Sequence, residues 1–271
     1  MKKTKAKKMS IILALIVFVV SFSVIIYATG NIITNPTTIT FVDSNLYESM
    51  KKQLKSKKIA YNENDTDKTI EVSEDDVLKI TELNLQGVID AKISNLTGLE
   101  SFTNLKILNL SGNAITNANA ISELKNINDL NFSDNPINDS VLETIAKLTS
   151  LEKLNISNTQ LNGDQLETLK TLSDLKELKI AKNNISTVES ISTLTGITSL
   201  DISVNKSFTD FKQLTVFTNL IELNVSGTGI TTFSGSSVTT EHDGIEMLSN
   251  LEKLYAQDNL SIVSNGLNSI Y

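Results

Sequence analysis

Apolar residues recur along this chain in a fixed order, with a period in the twenties. Leu105, Leu108, Leu110, Asn113 and Ile115 set the template: alternating apolar positions, an asparagine three residues on, then a further apolar residue. The same spacing returns from Ile127 (Leu130, Phe132, Asn135, Ile137), Leu151 (Leu154, Ile156, Thr159, Leu161) and Leu175 (Leu178, Ile180, Asn183, Ile185). It continues from Ile197 (Leu200, Ile202, Asn205), Leu220 (Leu223, Val225, Thr228, Ile230) and Leu251 (Leu254, Ala256, Asn259). A weaker first copy starts at Ile80 with Leu83, Leu85 and Val88, and successive copies begin 25, 22, 24, 24, 22, 23 and 31 residues apart. A fixed period of this size marks a repeat architecture in which each unit buries its apolar face only against its neighbours.

Within each copy the alternation predicts a short strand, leucines inward and intervening residues outward. Each strand pairs with its equivalent one repeat later, so the sheet is parallel. The returns carry apolar residues three or four apart, as in Ile115, Ala118, Ile121 and Leu124. In the 24-residue copies they look more fully helical: Val141, Leu142, Ile145 and Leu148, then Leu166, Leu169 and Leu172. The fold class is therefore an α/β solenoid of about eight repeats over residues 80–271. Six or seven buried side chains contribute ~10–20 kcal/mol per repeat. Ordering ~22 residues of backbone costs at least as much, so no repeat folds alone. The recurring asparagine both donates and accepts, and a stack of them can satisfy the turns leaving successive strands. Thr159 and Thr228 offer one hydroxyl there and Val88 nothing, so those turns should be weaker.

The 22-residue returns from Leu105 to Asn126 and from Leu175 to Gly196 bring a resemblance into view. So do Thr97-Gly98-Leu99, Phe102-Thr103-Asn104-Leu105 and Phe217-Thr218-Asn219-Leu220. Over roughly residues 40–271 the chain resembles the internalins and related leucine-rich-repeat surface proteins of Gram-positive bacteria. The resemblance implies a horseshoe with its parallel sheet on the concave face, preceded by a small helical N-terminal cap.

Residues 31–79 fit that cap. Leu46, Met50 and Leu54 share one helical face, with Asp43 or Ser44 as N-cap. Ser73-Glu74-Asp75-Asp76 reads as a capping motif opening a second short helix through Val77 and Ile80. Glu63, Asp65, Asp67 and Glu74 loosely follow a calcium-loop template, but Lys68 stands where the template needs glycine, which favours a solvated acidic loop. At the other end, residues 260–271 contain Ile262, Leu267 and Ile270 without a recognisable cap, as in an atypical final turn or part of a longer protein.

Charge narrows the partners. All 24 positive side chains are lysine, against 31 acids, and five of them (Lys2, Lys3, Lys5, Lys7, Lys8) precede an uncharged apolar run from Met9 to Ala28. That layout predicts a signal peptide over residues 1–30, cleaved before Asn31, or an uncleaved signal anchor long enough to span a bilayer. Either way residues 31–271 lie outside the membrane, extracellular or at the cell surface, and touch it only through that segment. Without residues 1–30 the formal charge is −12, which disfavours nucleic acid and anionic lipid. With no cysteine and only His242, there is no basis for thiolate metal sites or a cofactor, and no nucleophile–base pair or phosphate loop marks an enzyme.

Function is then expected on the outward strand positions. One row reads Asn84, Asn109, Asn131, Asn155, Lys179, Asp201, Asn224, Tyr255, and its neighbour Glu82, Ile107, Asp129, Lys153, Glu177, Ser199, Glu222, Lys253. From these we take Asn109, Asp129, Asn131, Lys153, Asn155, Glu177, Lys179, Asp201, Glu222, Asn224 and Tyr255 as candidate ligand-binding residues on the concave face, for a protein partner. Their charges have a plainer reading, since Glu152/Lys176, Lys153/Glu177 and Lys179/Asp201 occupy equivalent places on adjacent strands and can pair laterally. The 31-residue step inserts Thr231 to Gly244, with His242 between Glu241 and Asp243, and is a second candidate for recognition. The expected role is a protein-binding or adhesion module, or else a membrane-anchored ectodomain serving envelope structure or sensing.

Overall fold

The computed structural model describes residues 24–26, 32–233 and 244–259. The N-terminal lysines and most of the apolar run, His242 with the tip of the insertion, and residues 260–271 lie outside them. Among the described residues no helix is long and apolar enough to cross a membrane.

Strands β1 (Val24–Ile26) and β2 (Ile32–Thr34) pair antiparallel across the boundary drawn at residue 30. The cap holds both expected helices and adds a sheet that the sequence spacing did not show. Strands β3 (Pro36–Thr40), β4 (Tyr61–Asn64) and β5 (Thr69–Ser73) form an antiparallel sheet in the order β3-β5-β4. The reason is the period-two run of Thr37-Thr38-Ile39-Thr40 and Thr69-Ile70-Glu71-Val72, whose Ile39, Ile70 and Val72 are buried. Helix α1 (Ser44–Ser56) lies between β3 and β4 and buries Leu46, Tyr47, Met50 and Leu54, with Asp43 as its N-cap. Helix α2 (Glu74–Leu78) is a single turn, and Ser73, expected to cap it, makes no side-chain capping bond.

From Glu82 the repeats take over. Strands β6 (Glu82–Asn84), β7 (Ile107–Asn109), β8 (Asp129–Asn131), β9 (Lys153–Asn155), β10 (Glu177–Lys179), β11 (Ser199–Asp201), β12 (Glu222–Asn224) and β13 (Lys253–Tyr255) form one parallel sheet in chain order. The register is one repeat per strand without a slip: Leu83, Leu108, Leu130, Leu154, Leu178, Leu200, Leu223 and Leu254 sit opposite one another in turn. All but the last are fully buried, and burial fades at Leu254.

The returns follow repeat length. The 22- and 23-residue copies make single 3-10 turns at Asn119–Ile121, Glu189–Ile191 and Phe211–Leu214. Of the two 24-residue copies, one forms an α-helix, α3 (Asp139–Ala146), capped by Asn138, and the other an eight-residue 3-10 helix over Asp164–Thr171. The insertion is tied at its base: Phe233 packs edge-on to Phe211 with ring centres 5.1 Å apart, and the Ile245 amide donates to the Phe233 carbonyl at 2.9 Å.

Candidate functional site on the outward sheet face

Side chains flanking the buried leucines define the outward face. Eight strands at ~4.8 Å spacing make it ~34 Å long. The register places Asn84, Asn109, Asn131, Asn155, Lys179, Asp201, Asn224 and Tyr255 in one row and Glu82, Ile107, Asp129, Lys153, Glu177, Ser199, Glu222 and Lys253 in the other, as the spacing implied. All eleven candidate residues therefore share this face.

The first row also has a structural task that the sequence reading missed. Asn109, Asn131, Asn155, Asp201 and Asn224 each accept, through Oδ1, a hydrogen bond from the amide two residues on, at 3.0, 3.2, 3.0, 2.9 and 3.1 Å. These bonds form the turns by which the chain leaves each strand. Lys179 cannot make one, and the Ser157 hydroxyl of the preceding repeat accepts from the Ala181 amide instead. The signal available was the recurring Asn-x-Ser in Asn109-Leu110-Ser111, Asn131-Phe132-Ser133 and Asn155-Ile156-Ser157. Asparagine Nδ2 groups remain for the face, and Asn109 spends its own on Asn84 Oδ1 at 3.0 Å.

The expected lateral ion pairs are largely absent. Lys179 pairs with Glu177 on its own strand at 2.7 Å, not with Asp201 across the sheet. No ion pair forms between Lys153 and Glu177 or between Glu152 and Lys176 among the described residues. Among the described residues of this sheet, Lys253 reaches across strands, to Glu222 at 3.2 Å. Asp129, Asn131, Lys153, Asn155, Glu177 and Lys179 line a shallow depression of about 210 Å³. Burial pushes the Asp129 carboxyl up, against the opposing pull of Lys153. Lys179 is raised, first by its hydrogen bond to Glu177.

Beneath the face, the turn asparagines behave as a ladder. Asn135 accepts from the Ile115 amide of the preceding repeat at 3.2 Å and donates to the carbonyls of Leu110 at 2.9 Å and Phe132 at 3.2 Å. Asn113 and Asn205 repeat the arrangement, while Asn183 accepts from Thr159 and Leu161 and donates to Ile156 and Ile180. Thr159 and Thr228 donate only to Ile156 and Val225 of their own repeats, or share a proton with the next asparagine, so the tie to the preceding repeat is lost there. Val88 leaves the core altogether and bridges Ala91. A second ladder runs outside the core, where Asn104, Asn126, Asn219 and Asn250 donate to carbonyls of the preceding repeat at 2.8 to 2.9 Å.

The acidic loop of the cap is not arranged as a calcium cradle. Asn64 to Lys68 turn the β4–β5 hairpin, with Lys68 at φ +52° in the place a calcium loop gives to glycine. Lys51 from α1 reaches both Glu63 and Asp65 at 3.0 Å, and lies 4.9 Å from the centre of the Tyr47 ring. The Tyr47 hydroxyl donates to Asp65 at 2.8 Å, and Asp67 accepts from Asn64 at 2.8 Å. Among the described residues no three metal-ligating side chains converge.

A family model described as a leucine-rich repeat region matches residues 54–268. The chain belongs to this leucine-rich-repeat family. Among solved structures, this leucine-rich-repeat chain is similar to internalin C2 of Listeria monocytogenes, at 24% identity and a TM-score of 0.57, covering 80% of this chain and 95% of that one. An internalin (inlF) of the same organism matches at 22% identity and a TM-score of 0.52, over 82% of this chain and 71% of that one. The functional domain of InlJ, also from Listeria monocytogenes and described as including a cysteine ladder, matches at 22% identity and 0.57, over 83% of this chain and 48% of its own. The present chain has no cysteine, and asparagine and threonine form its ladder. Comparison with curated protein sequences finds no match. These likenesses bear out the solenoid and its internalin-like architecture.

Proposed function

We infer that this chain is an exported protein-binding module at the bacterial cell surface, presenting its outward sheet face to a protein partner in adhesion or a similar interaction, and that it catalyses no reaction. One observation carries the reading. An unslipped register aligns charged and amide groups over ~34 Å, and several of them, Asp129 and Lys153 among them, have no direct partner among the described residues. That length suits a protein–protein interface of ordinary size. Export is supported by the five lysines ahead of the apolar run of residues 9–28, and the −12 charge of residues 31–271 argues for a protein over nucleic acid or anionic lipid.

The full chain, immobilised, should capture a specific partner from surface-exposed proteins. Joint replacement of Asn131, Asp201 and Tyr255 by alanine should weaken capture at least tenfold while leaving the circular dichroism spectrum intact. Undiminished capture would move recognition away from this face. Sequencing the N-terminus of the protein as it leaves the cell separates release from anchoring: a start at Asn31 means release, and retention of Lys2 to Lys8 means an anchored ectodomain.

A further inference from the structure

The depression between β8, β9 and β10 holds two charges of opposite sign that face each other in register without forming a direct ion pair. Asp129 and Lys153 are neighbours in one outward row, and neither makes a hydrogen bond or ion pair through its side chain to any described residue. Glu177, next in that row, is already taken by Lys179. Beside them, Asn131 and Asn155 have spent Oδ1 on the amides of Ser133 and Ser157, which leaves both Nδ2 groups as unused donors.

Asp129 is half-buried, and the pull of Lys153 and Lys179, made without a direct hydrogen bond, does not offset the cost of burying its carboxylate. Nothing in the packing of the repeat demands an acid there, since the equivalent places hold Ile107 and Ser199. A group that the fold does not need and that burdens it is explained by what it binds.

We propose that this depression is a recognition pocket for a cation–carboxylate pair on the protein partner, the cation seated on Asp129 and the carboxylate on Lys153 and the Asn155 amide. The proposal rests on the reading of this face as the binding surface and names the partner chemistry it takes. A lone cation would leave Lys153 unmatched and be repelled by it, and a lone anion would meet Asp129 and Glu177. A metal ion would face two lysines. A sugar ordinarily stacks on an aromatic ring, and Tyr255, the aromatic side chain on this face, is three strands or ~14 Å from the near edge of the depression. Strand spacing of ~4.8 Å matches the ~5–6 Å between a glutamate and an arginine one turn apart on a helix.

The probes are three capped alanine–glutamine helical peptides of about seventeen residues. One carries a glutamate and an arginine four residues apart, one has citrulline for arginine, and one has glutamine for glutamate. Each is titrated into the 15N-labelled full chain, as wild type, Asp129→Asn and Lys153→Gln, following the amides of residues 129–131 and 153–155. Wild type should bind the paired peptide about fivefold tighter than either neutralised one. Asp129→Asn should lose the preference for arginine over citrulline yet keep that for glutamate, and Lys153→Gln should do the reverse. Absence of saturable shifts at those amides overturns the proposal, as does an equal loss of both preferences in either variant, which is diffuse charge attraction. If these peptide results fail while the Asn131/Asp201/Tyr255 variant still loses capture, the pocket falls and the face stands. Intact capture by that variant removes the face itself.

Discussion

Asp43 and Ser94 join the cap to the first repeat through one carboxylate. Asp43 Oδ1 caps α1 by accepting from the amides of Asn45 and Leu46 at 2.8 and 3.0 Å. Oδ2 accepts from the amide and hydroxyl of Ser94 at 2.8 and 2.9 Å, and from the Asn95 amide at 3.3 Å. Burial alone would push this carboxyl up, but the hydrogen bonds from Ser94, Leu46 and Asn95 outweigh it and hold it below the usual carboxylate range. Asp43→Ala should cost about 1–3 kcal/mol, because it removes a helix cap and the part-buried bonds from Ser94 and Asn95 together. Because the folded form holds the proton less tightly than the unfolded one, the contribution is full above pH ~4 and is lost as pH falls through the depressed value. Urea denaturation at pH 7 and pH 3 should show the variant's deficit shrinking at the lower pH.

Asp129 has the opposite sign. Burial raises its carboxyl, so the folded chain takes up this proton at a higher pH than the unfolded chain, and the charged form works against folding at neutral pH. Asp129→Asn should therefore leave the denaturation midpoint at pH 7 unchanged or slightly higher, and flatten the local gain in stability on moving from pH 7 towards 4. A clear loss of stability in this variant would show that Asp129 has a structural partner after all.

The ladder predicts an asymmetry between neighbouring rungs. Asn135→Ala removes the buried bonds to Ile115, Leu110, Phe132 and Ser133 and should lower stability by about 1–3 kcal/mol. Thr159→Asn should raise it by about 1 kcal/mol, by restoring the missing donor to Phe132 and acceptor for Ile137. Thermal unfolding of the two variants beside wild type checks both directions.

Gly87 passes against the next repeat so closely that an added Cβ would lie 2.3 Å from the Gly112 carbonyl oxygen and 2.6 Å from Asn113 Oδ1. Both are fixed, one by the backbone and one by the ladder. Gly87→Ala should cost about 1–3 kcal/mol through forced backbone displacement, and calorimetry should show the lower midpoint.

Calcium offers another check. With Lys51 between Glu63 and Asp65, an entering ion must displace an ammonium that these acids hold charged. Millimolar calcium should leave the midpoint of wild type unchanged. Lys51→Met should lower it by about 1–2 kcal/mol, since the Glu63 and Asp65 carboxylates lose their partner and Tyr47 its cation.

How far the sequence could be read depends on the distance over which each signal acts. The strands and their register were legible because Leu83 to Leu254 announce them with one spacing, and a slip would turn every leucine to solvent. The three-stranded sheet of the cap was not, because its segments are short and Ile39 on β3 meets Ile70 on β5 across the whole of α1 and β4. The outward rows were legible in position but not in use. Asn131 looks the same whether its Oδ1 meets a ligand or the Ser133 amide, and only coordinates separate the two. Lys179 was matched to Asp201 by strand equivalence, yet Glu177 on the same strand holds it.

The two threonine rungs divide the array. Asn113 and Asn135 tie each repeat to the one before it, and Asn183 and Asn205 do so again further along. Thr159, between those groups, and Thr228, after them, bond their own coils and the next asparagine but send no side-chain bond back to the repeat before. Cooperativity in such a chain is the sum of its nearest-neighbour couplings, so amide exchange should rise in blocks whose borders fall at these two residues. A pull applied along the stack would then open it at the threonine seams, and Asp129, on the strand before the first seam, would stay with the cap.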